Sequence, residues 1–244
     1  MLSPLPWFIQ KPTPDSKIWR YMDFSKFMDL IHRHMLFFPQ ANQFDDKYEG
    51  AIQNLWYVPP SGRDETFPFV AEYSSPTGPR ARHLISCWHQ NEVQSAAMWK
   101  QYLKSDEGIA IQSTVGNLQA AFDFDQMSNV GDVFIANVSY EPFWEHMNTV
   151  PNLNWYDVLF FSKRKSFEYE RELRMVVRPK EYEEVNKLGG MYLPVNIDAL
   201  IERVYIAPDS PAWFFNLVRS VASEKYGLNA NLFTKSDLSS GPLY

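Results

Sequence analysis

Across residues 163–179 the chain reads Lys-Arg-Lys-Ser-Phe-Glu-Tyr-Glu-Arg-Glu-Leu-Arg-Met-Val-Val-Arg-Pro. From Glu168 onward its polarity alternates almost residue by residue. Tyr169, Leu173, Met175 and Val177 fall on one side, with Arg171 out of place. Glu168, Glu170, Glu172, Arg174 and Arg178 fall on the other, interrupted by Val176. A period of two is that of a pleated strand with one face in a core. A helix competes, because Glu170 and Arg174, like Glu168 and Glu172, are also four residues apart. Met-Val-Val followed by Arg-Pro suits a strand end better than a helix interior. A strand places Glu170 and Glu172 side by side on one face, roughly 7 Å apart, with Arg174 next in line. Either the pair is chemically active, or Arg174 neutralises Glu172 on a solvated face, an ion pair worth about 0–1 kcal/mol.

The chain has 244 residues, enough for one large domain with a substantial core. Aromatic residues make up 16%, a high share, much of it core, and some can stack on a planar ligand. The net charge of −6 disfavours a protein that coats nucleic acid, although a local basic patch can still bind it. The lone Cys87 excludes an internal disulfide and a cysteine-rich zinc site. The histidines are scattered, with no HExxH, so no metal is expected. Prolines near the start occupy the place of a leader's apolar run, and no run of about 20 apolar residues occurs. A cytoplasmic protein without a membrane segment is the expectation.

Taken in order, residues 1–16 carry Pro4, Pro6, Pro12 and Pro14 and read as an extended arm, loose or lying on the body. Residues 17–236 read as a single domain, with a surface excursion at about 58–81 and a tail at 237–244. Lys17 to Met22 is a first strand, with Arg20 between aromatic Trp19 and Tyr21. A planar guanidinium there can stack on neighbours or await a phosphate or carboxylate. Asp23 or Ser25 caps a helix built on Phe27, Met28 and Ile31, and residues 36–39 form a short strand. The acidic turn Phe44-Asp45-Asp46 leads toward a helix ending near Val58. Residues 84–89 form a strand carrying Ser86 and Trp88 on one face. Asn91 caps the next helix, whose Trp99 and Tyr102 lie on one side. Strands follow at 108–112, 133–140, 191–195 and 203–207, with helices at 116–124 and 154–162. Ser210-Pro211 starts a helix that stops at Gly227, and 229–234 is a last strand. The alternation of strands and helices is too irregular for a doubly wound sheet, so the class is α+β. No GxGxxG, GxxxxGK[ST] or GxSxG occurs. With only 10 glycines, side chains rather than a glycine loop must grip any phosphate.

Several short motifs then occur in order: Trp19-Arg20-Tyr21, Leu36-Phe37-Phe38, Phe44-Asp45-Asp46, Ile85-Ser86-Cys87-Trp88, Met98-Trp99 with Tyr102, and Lys163-Arg164 through Phe167, Glu170, Glu172 and Arg174. Over roughly residues 17–207 the chain resembles the bacterial domain of unknown function 2971 family. It departs where that family usually has Phe-Asn-Asp-Pro and this chain has Phe44-Asp45-Asp46-Lys47. More weakly, the order of an aromatic-flanked Arg, a Ser and a Glu-x-Glu is similar to the ADP-ribosyltransferase superfamily. That resemblance implies a mostly antiparallel split β-sandwich with flanking helices, and NAD as co-substrate. It implies Glu172 as the catalytic glutamate and Glu170 as the residue addressing the acceptor. Arg20 would hold an NAD phosphate or ribose, and Ser86 the nicotinamide ribose. Tyr21, Trp88, Trp99 or Tyr102 would stack on a ring, and Arg164 and Arg174 join the cofactor-binding set.

Three functional classes follow. One is an NAD-consuming, ADP-ribosyltransferase-like toxin or phage-defence effector acting on a protein or nucleic-acid acceptor. The others are a non-catalytic binding or sensor domain, and a metal-dependent nuclease or nucleotide hydrolase.

Overall fold

In the computed structural model, residues 2–46, 50, 78–103, 106–127, 130–141 and 155–239 are described. The apolar-rich runs noted above become strands, and amphipathic segments become short helices around them. The chain divides into two compact units. Unit one comprises Met1–Pro12, Phe37–Cys87 and Phe124–Tyr192, and unit two Thr13–Leu36, Trp88–Asp123 and Leu193–Tyr244.

In unit one, strand β5 (Gly131–Asn137) pairs antiparallel with β6 (Glu172–Pro179), from Gly131 opposite Pro179 to Asn137 opposite Leu173. The other neighbour of β6 is β3 (Leu84–Gln90), of which residues 84–87 belong to this unit. A strand flanked on both edges and covered on both faces is buried throughout, and residues 172–177 are. The core gathers Ile85, Phe134, Ala136, Val158, Phe160, Phe161 and Val176. Gly131 is required, because a Cβ there would lie 2.1 Å from the carbonyl oxygen of Arg178. A small sheet pairs β2 (Met35–Pro39) with β7 (Gly190–Pro194). A Cβ on Gly190 would meet the Phe38 carbonyl oxygen at 2.5 Å, so the close approach of these backbones excludes a side chain.

The proline-rich arm lies on this unit. Ser3 N donates to Val133 O at 2.7 Å and Asn137 N to Gln10 O at 3.1 Å, so the arm runs along β5. Ile9 is buried in the core, with Leu5 and Phe8 packed against it. An outer strand left bare would present unpaired backbone groups, and the arm covers them.

In unit two, β4 (Gly108–Thr114) lies between β1 (Lys17–Asp23) and β8 (Arg203–Ile206), antiparallel to both. The far edge of β1 pairs antiparallel with the end of β3, Trp19 opposite His89. Strand β9 (Phe233–Lys235) runs parallel to β8. Helix α1 (Phe24–Arg33) buries Phe27, Leu30 and Ile31, the i, i+3, i+4 stripe of an amphipathic helix. This is an α+β structure with mostly antiparallel pairing and flanking helices, as expected.

Several local expectations are corrected. Asp23 precedes α1 but makes no side-chain cap bond. The helix that carries Trp99 and Tyr102 spans Ala96–Tyr102 and is capped by Ser95, whose hydroxyl accepts from Met98 N. Asn91 is engaged elsewhere, its carbonyl by Trp19 Nε1 at 2.7 Å and its side chain by Glu92 N. Ser210 does not cap the helix Ala212–Ser220, because its hydroxyl donates to the carbonyl of Asp106. The helix from Asp45 toward Val58 lies outside the described residues, as does most of the 58–81 excursion, whose end forms the helix Pro79–Arg82.

Because Ile9 is a core residue rather than a tether, Ile9→Ala should lower the unfolding free energy by about 2–4 kcal/mol, measured by urea denaturation. A loss under about 0.5 kcal/mol would mean that the arm rests on the surface only.

Candidate active site

The segment that carries the two glutamates does not continue as one strand. Ser139 N donates to Phe161 O at 2.8 Å and Lys163 N to Ser139 O at 3.0 Å, which anchors Lys163 beside the chain leaving β5. Residues Lys165–Glu170 then wind into a 3-10 helix. Arg171 closes it in the left-handed region at φ 41, an uncommon conformation for a residue with a side chain. Strand β6 starts only at Glu172, whose N–H donates to Tyr140 Oη at 2.8 Å and whose carbonyl accepts from Val138 N at 2.8 Å. The expectation of both glutamates side by side on a strand face is therefore wrong. Glu170 ends the 3-10 helix, left-handed Arg171 follows, and only Glu172 lies on the strand.

They meet by another route. Lys163 Nζ donates to Glu170 Oε2 and, at 2.6 Å, to Glu172 Oε1. Arg174 Nε donates to Glu172 Oε2 at 2.5 Å, and its Nη1 to Phe160 O at 2.7 Å. Glu170 is 3% exposed, Glu172 5% and Arg174 0%. The solvated-face ion pair is thereby overturned. Polar alternation along β6 reflects a second buried face, not water, because residues 172–177 are buried at polar and apolar positions alike.

Burial alone would raise the carboxyl of Glu172. The charge of Arg174, a hydrogen bond from Glu170 and the charge of Lys163 outweigh it and hold Glu172 well below the usual carboxylate range. Burial would lower the Lys163 ammonium, yet the Glu172 charge and the two carboxylate hydrogen bonds raise it. Burial pushes the Tyr140 phenol up.

The other expected residues distribute as follows. Ser86 is buried in the unit-one part of β3. Arg164 Nη2 donates to Asp46 Oδ1 at 3.3 Å, and Arg80 Nη2 donates to Asp46 O at 3.4 Å. The Phe167 ring lies 4.8 Å from Lys163 Nζ and 5.1 Å from Arg164 Cζ. Arg20, Tyr21, Trp88, Trp99 and Tyr102 belong to unit two. The Arg20 guanidinium lies 5.6 Å from the Trp88 ring centroid. Tyr21 meets the edge of Trp99 at 4.9 Å, and its hydroxyl accepts from Ser95 N, while burial pushes the phenol up to about 12. Tyr102, 41% exposed, is the most open ring of this set.

Sequence reasoning missed Lys163 as the bridge and Tyr140 altogether. Lys163 reads as the start of a basic run, and only the turn after it reveals its role. It also missed a second buried polar cluster in unit one. There His83 Nε2 meets Asp157 Oδ1 at 2.9 Å, and Arg178 Nη1 donates to both Asp157 oxygens. The His83 ring stacks on Phe160 at 4.4 Å, the residue whose carbonyl accepts from Arg174. Among the described residues no group of three or more His, Cys, Asp and Glu side chains is placed to hold a metal ion, and no helix is long and apolar enough to cross a membrane.

No known protein-family model and no curated protein matches the chain, so the resemblance to domain of unknown function 2971 has no matching model behind it. Solved structures of Thermus sp. 2.9 DarT are similar at low level. The complex with NAD+ aligns at 11% identity and a TM-score of 0.41, over 94% of this chain and 99% of that one. The complex with carba-NAD+ aligns at 10% and 0.39, over 92% and 96%. The complex with ADP-ribosylated ssDNA aligns at 11% and 0.37, over 92% and 99%. Likeness at this level assigns no activity to this chain.

Removing one partner from a buried ion pair leaves an uncompensated charge, so Arg174→Met should cost about 3–5 kcal/mol at neutral pH in chemical denaturation. Glu172 has a folded value depressed below its unfolded one. Its contribution is therefore full above the ordinary carboxylate range and is lost as pH falls through the folded value. The gap between wild type and Arg174→Met should accordingly narrow in acid. A gap that stays constant from pH 7 to pH 3 would contradict this.

Proposed function

We propose that the chain is an NAD-consuming ADP-ribosyltransferase-like enzyme in which Glu172 is the catalytic carboxylate. What carries this reading is that carboxylate: buried, kept ionised by Arg174 and Lys163, with Glu170 held on the same Lys163 ammonium. Cleavage of the bond between nicotinamide and ribose passes through an oxocarbenium-like state, as in glycoside hydrolysis. The glycosidic C–N bond breaks and nicotinamide leaves with the electron pair. The positive charge that develops on the ribose is stabilised by a preorganised negative charge, which Glu172 supplies. An acceptor nucleophile then forms the new bond at the anomeric carbon, and its proton passes to the glutamate pair. In this reading the 2′-hydroxyl of the ribose donates to Glu172.

The remaining assignments stand as part of the proposal. Ser86 orients the nicotinamide ribose, Arg164 meets a phosphate, and Arg20 holds a phosphate or ribose. Tyr21, Trp88, Trp99 and Tyr102 supply ring contacts. Arg174 holds Glu172 rather than touching NAD, because its guanidinium is wholly buried and engaged by Glu172 and Phe160 O. The acceptor is a protein or a nucleic acid.

Nicotinamide release from NAD, followed chromatographically, should fall by at least about 10²-fold in Glu172→Gln, with the circular dichroism spectrum retained. Label from NAD should pass to a protein mixture or to single-stranded DNA. Absence of release together with absence of NAD binding by calorimetry at millimolar ligand would overturn the reading.

A further inference from the structure

The role of Lys163 lies outside these assignments. We propose that Lys163 is a positioning residue that clamps Glu170 and Glu172 together, so that one of the two carboxyl groups stays ionised and aimed for catalysis. The inference rests on the NAD-cleaving reading only for the activity it would serve. Its geometry stands by itself.

Two carboxyl groups brought together out of water repel unless a cation lies between them. Arg174 approaches Glu172 from its own strand. Lys163 approaches from a different segment, and its single Nζ contacts one oxygen of each glutamate. Its backbone is tied to Ser139, its ammonium lies 4.8 Å from the Phe167 ring, and its side chain is 10% exposed. These restraints hold the ammonium in place, and the 3-10 helix with left-handed Arg171 returns Glu170 to it. A one-residue change in that turn would displace Glu170 from the clamp. The groups that face Glu172 are Glu170, Lys163 and Arg174, with the Tyr140 hydroxyl on its N–H. Of the two cations, Arg174 has its guanidinium anchored to Phe160 O, so Lys163 is the one whose removal changes the pair without uncovering that carbonyl.

The charge of Lys163 lowers Glu172. Its loss must therefore raise the carboxyl and move the acid limb of activity to higher pH. Two measurements on the full-length protein test this. In K163M the acid limb of kcat/KM for nicotinamide release should move up by about one pH unit or more. K163R, which keeps the charge, should restore the limb toward its wild-type position while kcat stays reduced. Independently, 13C-detected titration of glutamate carboxyl carbons, assigned with E170Q and E172Q, should show the Glu172 midpoint rising in K163M. K163Q replaces K163M in both measurements if the latter does not fold.

A purely structural lysine would lower stability and leave both the limb and the midpoint where they are, which would overturn the proposal. If the wild-type protein releases no nicotinamide at any pH, the NAD reading fails, and the carboxyl titration alone decides the role of Lys163.

Discussion

A carboxylate removed from water must be met by cations at contact distance, and much of unit one is arranged around that requirement at Glu172. Desolvation of an ion costs several kcal/mol even after relaxation, and partners with good geometry offset it. Arg174 serves from two residues along the same strand and is itself fixed by the Phe160 carbonyl. Lys163 serves from the segment that precedes the turn. Residues 172–177 of β6 are buried on both strand faces, and that burial is what makes the pairing necessary. The cluster is therefore a poor device for stability and a good one for holding a negative charge in a defined place.

The surroundings of the cluster are built with the same economy. The N-terminal arm covers β5, the strand paired with the one that carries Glu172, and buries Ile9 in the shared core. Phe160 joins two buried polar groups, taking a hydrogen bond from Arg174 and stacking on His83, which in turn meets Asp157. In unit two the aromatic set of Trp19, Tyr21 and Trp99 packs around Ala110 and Ala207.

Strands were legible where the periodicity had a single cause. Residues 84–89, 108–112 and 203–207 read correctly because β-branched and aromatic runs bounded by polar turns leave few alternatives. The 163–179 stretch misled in its first half because six residues of 3-10 helix can mimic an alternating strand in polarity. Only the left-handed Arg171 marks the break, and nothing in an arginine announces positive φ. Burial of the polar face was also illegible. Glu172 and Arg174 look the same in sequence whether their face meets water or the protein interior. Caps failed for a related reason: the Asn91 side chain accepts from the adjacent Glu92 N, and the Ser210 hydroxyl donates to the Asp106 carbonyl. Glu172 was recognised as the residue to watch, whereas Lys163 and Tyr140 required the path of the chain.

The most direct test of the central claim is a crystal structure of the protein with a non-hydrolysable NAD analogue. A Glu172 oxygen within hydrogen-bond distance of the nicotinamide-ribose 2′-hydroxyl is the expected result, with Arg174 still bound to the other oxygen. An analogue seated away from Glu172, with the Lys163–Glu170–Glu172–Arg174 cluster unchanged, would contradict it and leave the cluster a structural ion pair.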